Sequence, residues 1–103
     1  MKIYGITKIR NEEKIIQETL DHWGKICTGG IIVVDDKSDD KTVEICKAHP
    51  AVKEVIEVAE WDFDRERAEW HLRQLGLEGA QSLANKDDWF CYFDADERLY
   101  FDD

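Results

Sequence analysis

Two aspartates near the end of the sequence, Asp94 and Asp96, have the residue type and spacing of a divalent-metal site. They follow an apolar, aromatic run at residues 89–93, which is typical of a buried strand. Side chains two residues apart at a strand end project towards the same side. Magnesium and manganese prefer carboxylate oxygens and usually bind one or two carboxylates plus substrate phosphates. A solvated acidic turn is the alternative interpretation of the same residues.

The composition predicts one acidic domain. The chain has 103 residues, enough for one modest core, and a formal net charge of −10. This charge argues against non-specific nucleic-acid binding, because neutralising phosphates requires clustered lysine and arginine. No stretch has the apolar length that spans a bilayer, and the first residues lack a signal-peptide profile. We therefore expect a soluble cytoplasmic protein with no nucleic-acid partner and no transmembrane segment.

Predicted strands alternate with predicted helices along the chain. The strands are expected at residues 3–7, 31–34, 52–58 and 89–93, the third of them at a sheet edge. Such alternation is typical of a parallel sheet joined by right-handed crossovers. We expect an α/β fold, a Rossmann-like parallel sheet of about four strands flanked by helices.

The helix starts and stops are also predicted from single residues. Asn11 stands where the N-cap of the first helix belongs, and Ser38 with Asp39 can cap the second, which ends at His49 before a proline. A third helix is expected from Asp64, with a break at residues 76–79. Two aromatic residues of the preceding strand–helix junction are expected to lie in the core, and the alternative is that they line a ligand pocket; they are Trp61 and Phe63.

Polar residues follow three of the predicted strands. Residues 7–12 follow the first strand, Asp35 and Asp36 follow the second, and Asp94 with Asp96 follows the fourth. In open parallel sheets a ligand lies beyond the carboxyl ends of the strands, where the strand order reverses. We therefore expect these three loops to form one pocket of the kind that binds a nucleotide.

The polar blocks resemble, in order and spacing, a family 2 glycosyltransferase of the GT-A type. The blocks are Lys8-Ile9-Arg10-Asn11-Glu12-Glu13, Val33-Val34-Asp35-Asp36-Lys37-Ser38-Asp39-Asp40-Lys41-Thr42, Asp62-Phe63-Asp64 with Arg67, and Phe93-Asp94-Ala95-Asp96-Glu97. The chain departs from the family pattern at Lys37, where the family usually has glycine. The resemblance implies that residues 1–103 are the nucleotide-sugar-binding (donor) portion of a GT-A domain, truncated after the Asp-x-Asp motif.

The resemblance also implies a ligand and a set of contacts. The ligand is a nucleoside-diphosphate sugar, and the cofactor is a divalent metal, Mn²⁺ or Mg²⁺. A carboxylate after the second strand would accept a hydrogen bond from the base, and Asp96 would bind the metal directly. The nucleotide-binding residues implied are Thr7, Lys8, Arg10, Asp35, Asp36, Arg67 and Asp94, and the metal ligands implied are Asp96 and Asp94.

The expected activity is transfer of a sugar from this donor to an acceptor that the sequence does not identify. In the family the general base lies downstream of the Asp-x-Asp motif, so no catalytic residue is assigned and this chain alone is expected to lack the base and the acceptor site. The alternative function is a non-catalytic module that binds a nucleotide or a partner. A haloacid-dehalogenase-like phosphotransferase or phosphatase is disfavoured, because Arg98 stands where that family has Thr or Val, two residues beyond the second aspartate.

The expected sheet, ending at the Asp-x-Asp motif, would leave one sheet edge and the acceptor side uncovered. Unpaired strand edges invite pairing with another chain. We expect either a homodimer or a missing C-terminal half of the domain to cover this edge.

Overall fold

The chain forms a four-stranded parallel sheet with helices on both faces. A computed structural model describes residues 1–98. The strands are β1 (Ile3–Ile9), β2 (Gly30–Asp36), β3 (Val52–Val58) and β4 (Trp89–Tyr92), and the helices are α1 (Ile16–Gly24), α2 (Thr42–Ala48) and α3 (Arg65–Leu83). The strand order is β3-β2-β1-β4, and every strand pair is parallel. The predicted α/β fold with a Rossmann-like sheet of four parallel strands is confirmed.

The hydrophobic core lies on both faces of the sheet. Ile31 and Val33 of β2 pack in one cluster that includes buried residues of α1 and α2. Ile32, between them, faces the other side of the sheet and packs with Ile6 of β1 and Ala80 of α3. Because every residue of β2 is buried, four branched apolar residues in a row suit this central strand. The alternating pattern of β3 fits its position at an edge of the sheet.

The first predicted helix start is wrong. α1 begins at Ile16, with Ile15 at the N-cap position, and no side chain caps it. Asn11 instead has a left-handed backbone with φ of 52°, which asparagine tolerates better than most residues. Its backbone N–H donates to Ser38 Oγ, and its own Oδ1 accepts from the backbone N–H of Asp39, both at 2.9 Å. Asn11 therefore ties the loop after β1 to the loop after β2.

The second helix also begins later than predicted. α2 starts at Thr42, and the carboxylate of Asp40 accepts hydrogen bonds from its backbone N–H at 2.9 Å and its hydroxyl at 2.5 Å. Ser38 and Asp39 are used by the loop instead, in the contacts with Asn11. The predicted end is confirmed, because α2 stops at Ala48 and the backbone of His49 is extended.

The predicted break in the third helix is wrong. α3 runs without interruption for 19 residues; it begins at Arg65, one residue after the predicted start, and Asp64 is its N-cap. Its glycines allow close packing on the sheet, since a Cβ at Gly76 would lie 2.5 Å from Ile6 Cγ2 and one at Gly79 would lie 3.2 Å from Ile32 Cγ2. Neither α3 nor any other helix within residues 1–98 has the length and apolarity to cross a membrane.

The fourth strand is an edge strand and is not buried as its apolar sequence predicts. Trp89 is 64% exposed and Tyr92 is also exposed. Among residues 1–98, β4 pairs with β1 alone, on the side opposite to β2. The strand order therefore reverses between β1 and β4, and this is where ligands of such sheets bind.

Candidate functional site

A cavity of about 410 Å³ lies at the carboxyl ends of the strands, at the point where the strand order reverses. The charged side chains of its lining are Lys8, Arg10, Glu12, Asp36, Arg65, Glu69, Asp94 and Asp96. The three loops that were expected to converge do so. Five of the predicted residues meet here, namely Lys8, Arg10, Asp36, Asp94 and Asp96.

The two aspartates of the Asp-x-Asp motif lie in a turn that follows β4. The acidic turn, residues 94–97, is closed by two hydrogen bonds: the backbone N–H of Asp94 donates to Glu97 Oε1 at 2.7 Å, and that of Glu97 donates to the carbonyl of Asp94 at 3.0 Å. The carboxylates of Asp94 and Asp96 are exposed and have no hydrogen bond or ion pair with any of residues 1–98. Both are thus available to a ligand on the same cavity wall.

Asp36, at the end of β2, has one carboxylate oxygen bound and one available. Its side chain is only 8% exposed, and its Oδ2 lies 2.5 Å from Arg65 Nη2. The guanidinium of Arg65 also lies 3.8 Å from the centroid of the Trp61 ring and donates to the carbonyl of Asp62 at 2.8 Å. Within residues 1–98, no donor contacts Asp36 Oδ1. Arg65 therefore fixes a carboxylate that keeps one acceptor for a ligand.

The cations of the cavity differ in how they are paired. Lys8 Nζ contacts Glu69 Oε2 at 2.8 Å, and this hydrogen bond lowers the pKa of the Glu69 carboxyl. Arg65 is paired with Asp36. Arg10 is exposed and lies 4.5 Å from the centroid of the Trp61 ring, but it makes no ion pair within residues 1–98. Arg10 is therefore the cation of this lining best placed to bind an anion.

Three predicted nucleotide contacts do not line this cavity, namely Thr7, Asp35 and Arg67, and the first two are buried. Asp35 is buried, and its two oxygens accept from the backbone N–H and the hydroxyl of Ser38, at 2.9 and 2.5 Å. These bonds close the loop after β2. Thr7 is buried in the middle of the sheet beside Val33, and its hydroxyl has no partner among residues 1–98. Of the pair after β2, only Asp36 reaches the cavity.

Arg67 lines a neighbouring cavity of about 540 Å³. Its guanidinium binds the Asp62 carboxylate through Nε at 2.8 Å and Nη2 at 2.9 Å, and this contact lowers the pKa of Asp62 to about 2. Trp61 and Phe63 line the same cavity, and Phe63 is 87% exposed, so the expected core position of these aromatic residues is wrong. Asp36 lines both cavities. One extended ligand that contacts Asp36 would therefore have room on either side of it.

Arg65 is the site residue that the sequence analysis missed. It is the first residue of α3, and that helix starts at the sheet edge where the cavity lies. A helix that follows a strand in a parallel sheet begins at the carboxyl end of that strand. The residues of its first turn were therefore candidate site residues from the sequence alone. Two arginines share that turn, and only the contacts of the folded chain show that Arg65 binds Asp36 while Arg67 binds Asp62.

The acidic turn fits a metal that is shared with a ligand. Among residues 1–98, no group of three or more His, Cys, Asp and Glu side chains is arranged to hold a metal ion. Asp94 and Asp96 line the cavity with two carboxylates that have no partner in the described part of the chain. Magnesium sites commonly combine one or two carboxylates with substrate phosphates. The residues present therefore suit a metal whose remaining ligands come from a diphosphate and water.

Comparison with known proteins finds relatives without an assigned function. No family model matches the chain. An uncharacterized protein of Mycobacterium tuberculosis and one of Mycobacterium bovis are each 32% identical to it over 99 residues. The aligned region is 93% of this chain and 23% of each relative, so the chain spans about a quarter of the length of the curated relatives it matches.

Proposed function

We propose that this chain binds the nucleoside-diphosphate sugar of a glycosyltransferase related to family 2, together with Mn²⁺ or Mg²⁺. One observation carries the proposal: Asp94 and Asp96, whose carboxylates have no partner among residues 1–98, share a cavity with Arg10, which has no ion pair there, and with Asp36. This cavity lies where the strand order reverses, the usual ligand position in such sheets. The motif resemblance described above supports the same ligand class.

Asp36 would contact the base of the nucleotide. Its Oδ1, which no donor among residues 1–98 contacts, can accept an N–H of the base, while Arg65 fixes the direction of the carboxylate. The base would lie on the side of the larger cavity, whose lining includes Trp61 and Phe63. Flat apolar rings suit the face of a base. Arg67 would line this cavity and hold its loop through Asp62 rather than contact the phosphates.

The diphosphate would lie on the other side of Asp36, in the smaller cavity. Arg10 can donate to phosphate oxygens in the fork geometry of a guanidinium, and Lys8 adds a second positive charge at the same wall. Asp96 and Asp94 would hold the metal. When bound, the metal would neutralise the negative charge that grows on the diphosphate as the bond to the sugar breaks. Transfer also needs a general base near the acceptor hydroxyl, and we assign this role to no residue.

The alternative proposal is a module that binds a nucleotide without transferring a sugar. This module would need no general base, a role that we assign to no residue. Incubating the 103-residue chain with labelled nucleoside-diphosphate sugars and candidate acceptors separates the two proposals. Labelled product would exclude the non-catalytic module, whereas donor binding without product would favour it.

The metal assignment is tested by calorimetric titration of UDP and GDP with and without Mn²⁺. We expect Mn²⁺ to strengthen nucleotide binding and Asp96→Asn, which keeps the size of the side chain, to remove this effect. Asp87→Asn is the matched control, because Asp87 is an exposed aspartate outside the cavity lining. Mn²⁺-dependent binding that is the same in Asp96→Asn and the unchanged chain would rule out Asp96 as the metal ligand.

Because β4 lies at an exposed edge of the sheet, we propose that another polypeptide segment covers it. An apolar groove of about 390 Å³ beside β4 is lined by Ile3, Ile26, Trp89 and Phe90, among others. Either a second copy or a C-terminal half of the domain would cover it. Sedimentation analysis of the 103-residue chain distinguishes them: a dimer that Trp89→Ser dissociates supports the homodimer, and a monomer favours additional chain. The expected cytoplasmic location stays a prediction.

A further inference from the structure

The acidic turn is attached to α1 through an indole. Trp23 is buried, and its Nε1–H donates to the main-chain carbonyl of Glu97 at 2.9 Å. The indole also stacks on Phe93, with the ring centroids 4.4 Å apart and the planes inclined by 9°. Phe93 directly precedes the acidic turn. One side chain of α1 therefore contacts the chain on both sides of the two aspartates.

A second side chain of α1 reaches the middle of the same turn. Thr19 is fully buried, and its hydroxyl donates to the main-chain carbonyl of Ala95. The carbonyl of Ile15, four residues earlier in the helix, lies 3.1 Å from the same hydroxyl. Because a hydroxyl has only one proton to donate, these two carbonyls compete for it. The hydrogen bond to the Ile15 carbonyl would form even in an isolated helix. The hydrogen bond to the Ala95 carbonyl instead connects α1 to the acidic turn.

These main-chain contacts fix the turn while leaving its aspartate side chains unused. The carboxylates of Asp94 and Asp96 make no contact with residues 1–98 that would orient them. Their direction therefore depends on how the backbone of the turn is held. Loops after an edge strand are ordinarily among the more mobile parts of a domain. Thr19 and Trp23 supply the buried polar atoms that restrain this one.

We infer that Thr19 and Trp23 are positioning residues of the metal site. They hold the acidic turn by its carbonyls so that the carboxylates of Asp94 and Asp96 face the cavity. Metal binding requires its ligands to be held within a fraction of an ångström, which rigid supporting contacts provide. The use of the turn by a metal rests on the proposed function, whereas the restraint of the turn by α1 does not.

The test removes one hydrogen-bonding group at a time. Thr19→Val replaces the hydroxyl with a methyl group of similar size, and Trp23→Phe removes the indole N–H while keeping an aromatic ring against Phe93. Thr19→Ser retains the hydroxyl and is the rescue variant. Trp70→Phe is the matched control, because Trp70 is exposed on α3 and outside the cavity lining. Circular dichroism establishes that each variant is folded.

Two measurements are made on each folded variant. Mn²⁺ affinity in the presence of UDP is measured by electron paramagnetic resonance, and hydrogen exchange of the Asp94 and Glu97 amides is measured by NMR. Thr19→Val and Trp23→Phe should each weaken Mn²⁺ binding about fivefold, the size expected for one lost hydrogen bond, and should speed amide exchange in the acidic turn. Thr19→Ser and Trp70→Phe should stay within about twofold of the unchanged chain.

The two measurements separate this inference from the proposed function. If the unchanged chain binds no Mn²⁺, the proposed metal site is wrong, and faster exchange in Thr19→Val still supports restraint of the turn by α1. Unchanged exchange in both Thr19→Val and Trp23→Phe would overturn the inference. So would Mn²⁺ binding by the unchanged chain that neither substitution weakens.

Discussion

Arg65, on the first turn of α3, reaches Asp36 at the end of β2, with 2.5 Å between Nη2 and Oδ2. The two side chains differ in exposure, since Asp36 is 8% exposed and Arg65 is 45% exposed. An ionised carboxylate with so little access to water is costly unless it is paired. The contact therefore serves the stability of the fold and also leaves one oxygen of Asp36 without a donor among residues 1–98.

Replacing Arg65 should weaken both the fold and the binding of a nucleotide. Arg65→Gln leaves Asp36 without its cation, and we expect the free energy of unfolding to fall by about 1–3 kcal/mol. Urea unfolding measures this change. Arg73→Gln is the control, because Arg73 forms an exposed pair with Glu69 one turn away and such pairs contribute about 0.5 kcal/mol or less. Equal losses for the two variants would contradict a special role for Arg65.

The glycines of α3 should matter according to their distance from the sheet. Gly76→Ala places a Cβ 2.5 Å from Ile6 Cγ2 and 3.2 Å from Val34 Cγ2. We expect this overpacking to lower the free energy of unfolding by about 1–3 kcal/mol, although alanine is the better helix former by about 1 kcal/mol. Gly79→Ala, with its nearest contacts at 3.2 Å, should cost less. Guanidinium unfolding of both variants checks the order, and a more stable Gly76→Ala would contradict the packing.

The contact between Arg67 and Asp62 should make the stability of the fold depend on pH in the acidic range. Its hydrogen bonds lower the pKa of Asp62 to about 2, whereas an unfolded aspartate titrates near about 3.9. The native chain then binds fewer protons than the unfolded chain, so the contact stabilises the fold above about pH 4, and this contribution disappears as the pH falls through 2. NMR titration of the carboxyl carbon measures the pKa directly.

A matched pair of variants isolates this contact. Arg67→Gln should return the pKa of Asp62 towards its ordinary value, since the charged donor is lost. Arg73→Gln removes the same charge from the same helix and should leave Asp62 unchanged, because Arg73 binds Glu69 instead. A titration of Asp62 near pH 4 in the unchanged chain would contradict the observed geometry.

The buried thiols should be unreactive in the native chain. Burial raises the pKa of Cys27 to about 11 and that of Cys46 to about 12. Unfolded cysteines ionise near about 8.5, so stability should decline as the pH rises above that value. With a thiol reagent at pH 8, we expect Cys27 and Cys46 to react only after unfolding, and the half-buried Cys91 to react first. Rapid native-state labelling of Cys46 would contradict its position.

The elements that were predicted correctly carry local signals. The run of branched apolar residues in β2 indicates a strand buried on both faces, and the alternating pattern of β3 indicates a partly exposed strand. Both patterns match the positions of these strands in the sheet. The convergence of Asp36 with the acidic turn was also predictable, since the carboxyl ends of parallel strands meet at one edge.

The parts that were not predicted depend on contacts between distant segments. Asn11 has the residue type of a helix cap, and only the neighbouring loop at Ser38 explains its left-handed backbone. Glycines predict a helix break in isolation, but Gly76 lies against Ile6 of β1 and is needed for close packing. The division of roles between Arg65 and Arg67 likewise depends on which carboxylate the fold brings to each.

The attachment of the acidic turn to α1 has a consequence for the order of folding. The hydroxyl of Thr19 and the carbonyl of Ala95 are 76 residues apart in sequence, and β1 pairs with β4 across a similar span. Contacts between such distant segments form late, because closing a long loop is entropically costly. During synthesis the first three strands can assemble before β4 has emerged, so the proposed ligand site should form only after β4 has paired with β1.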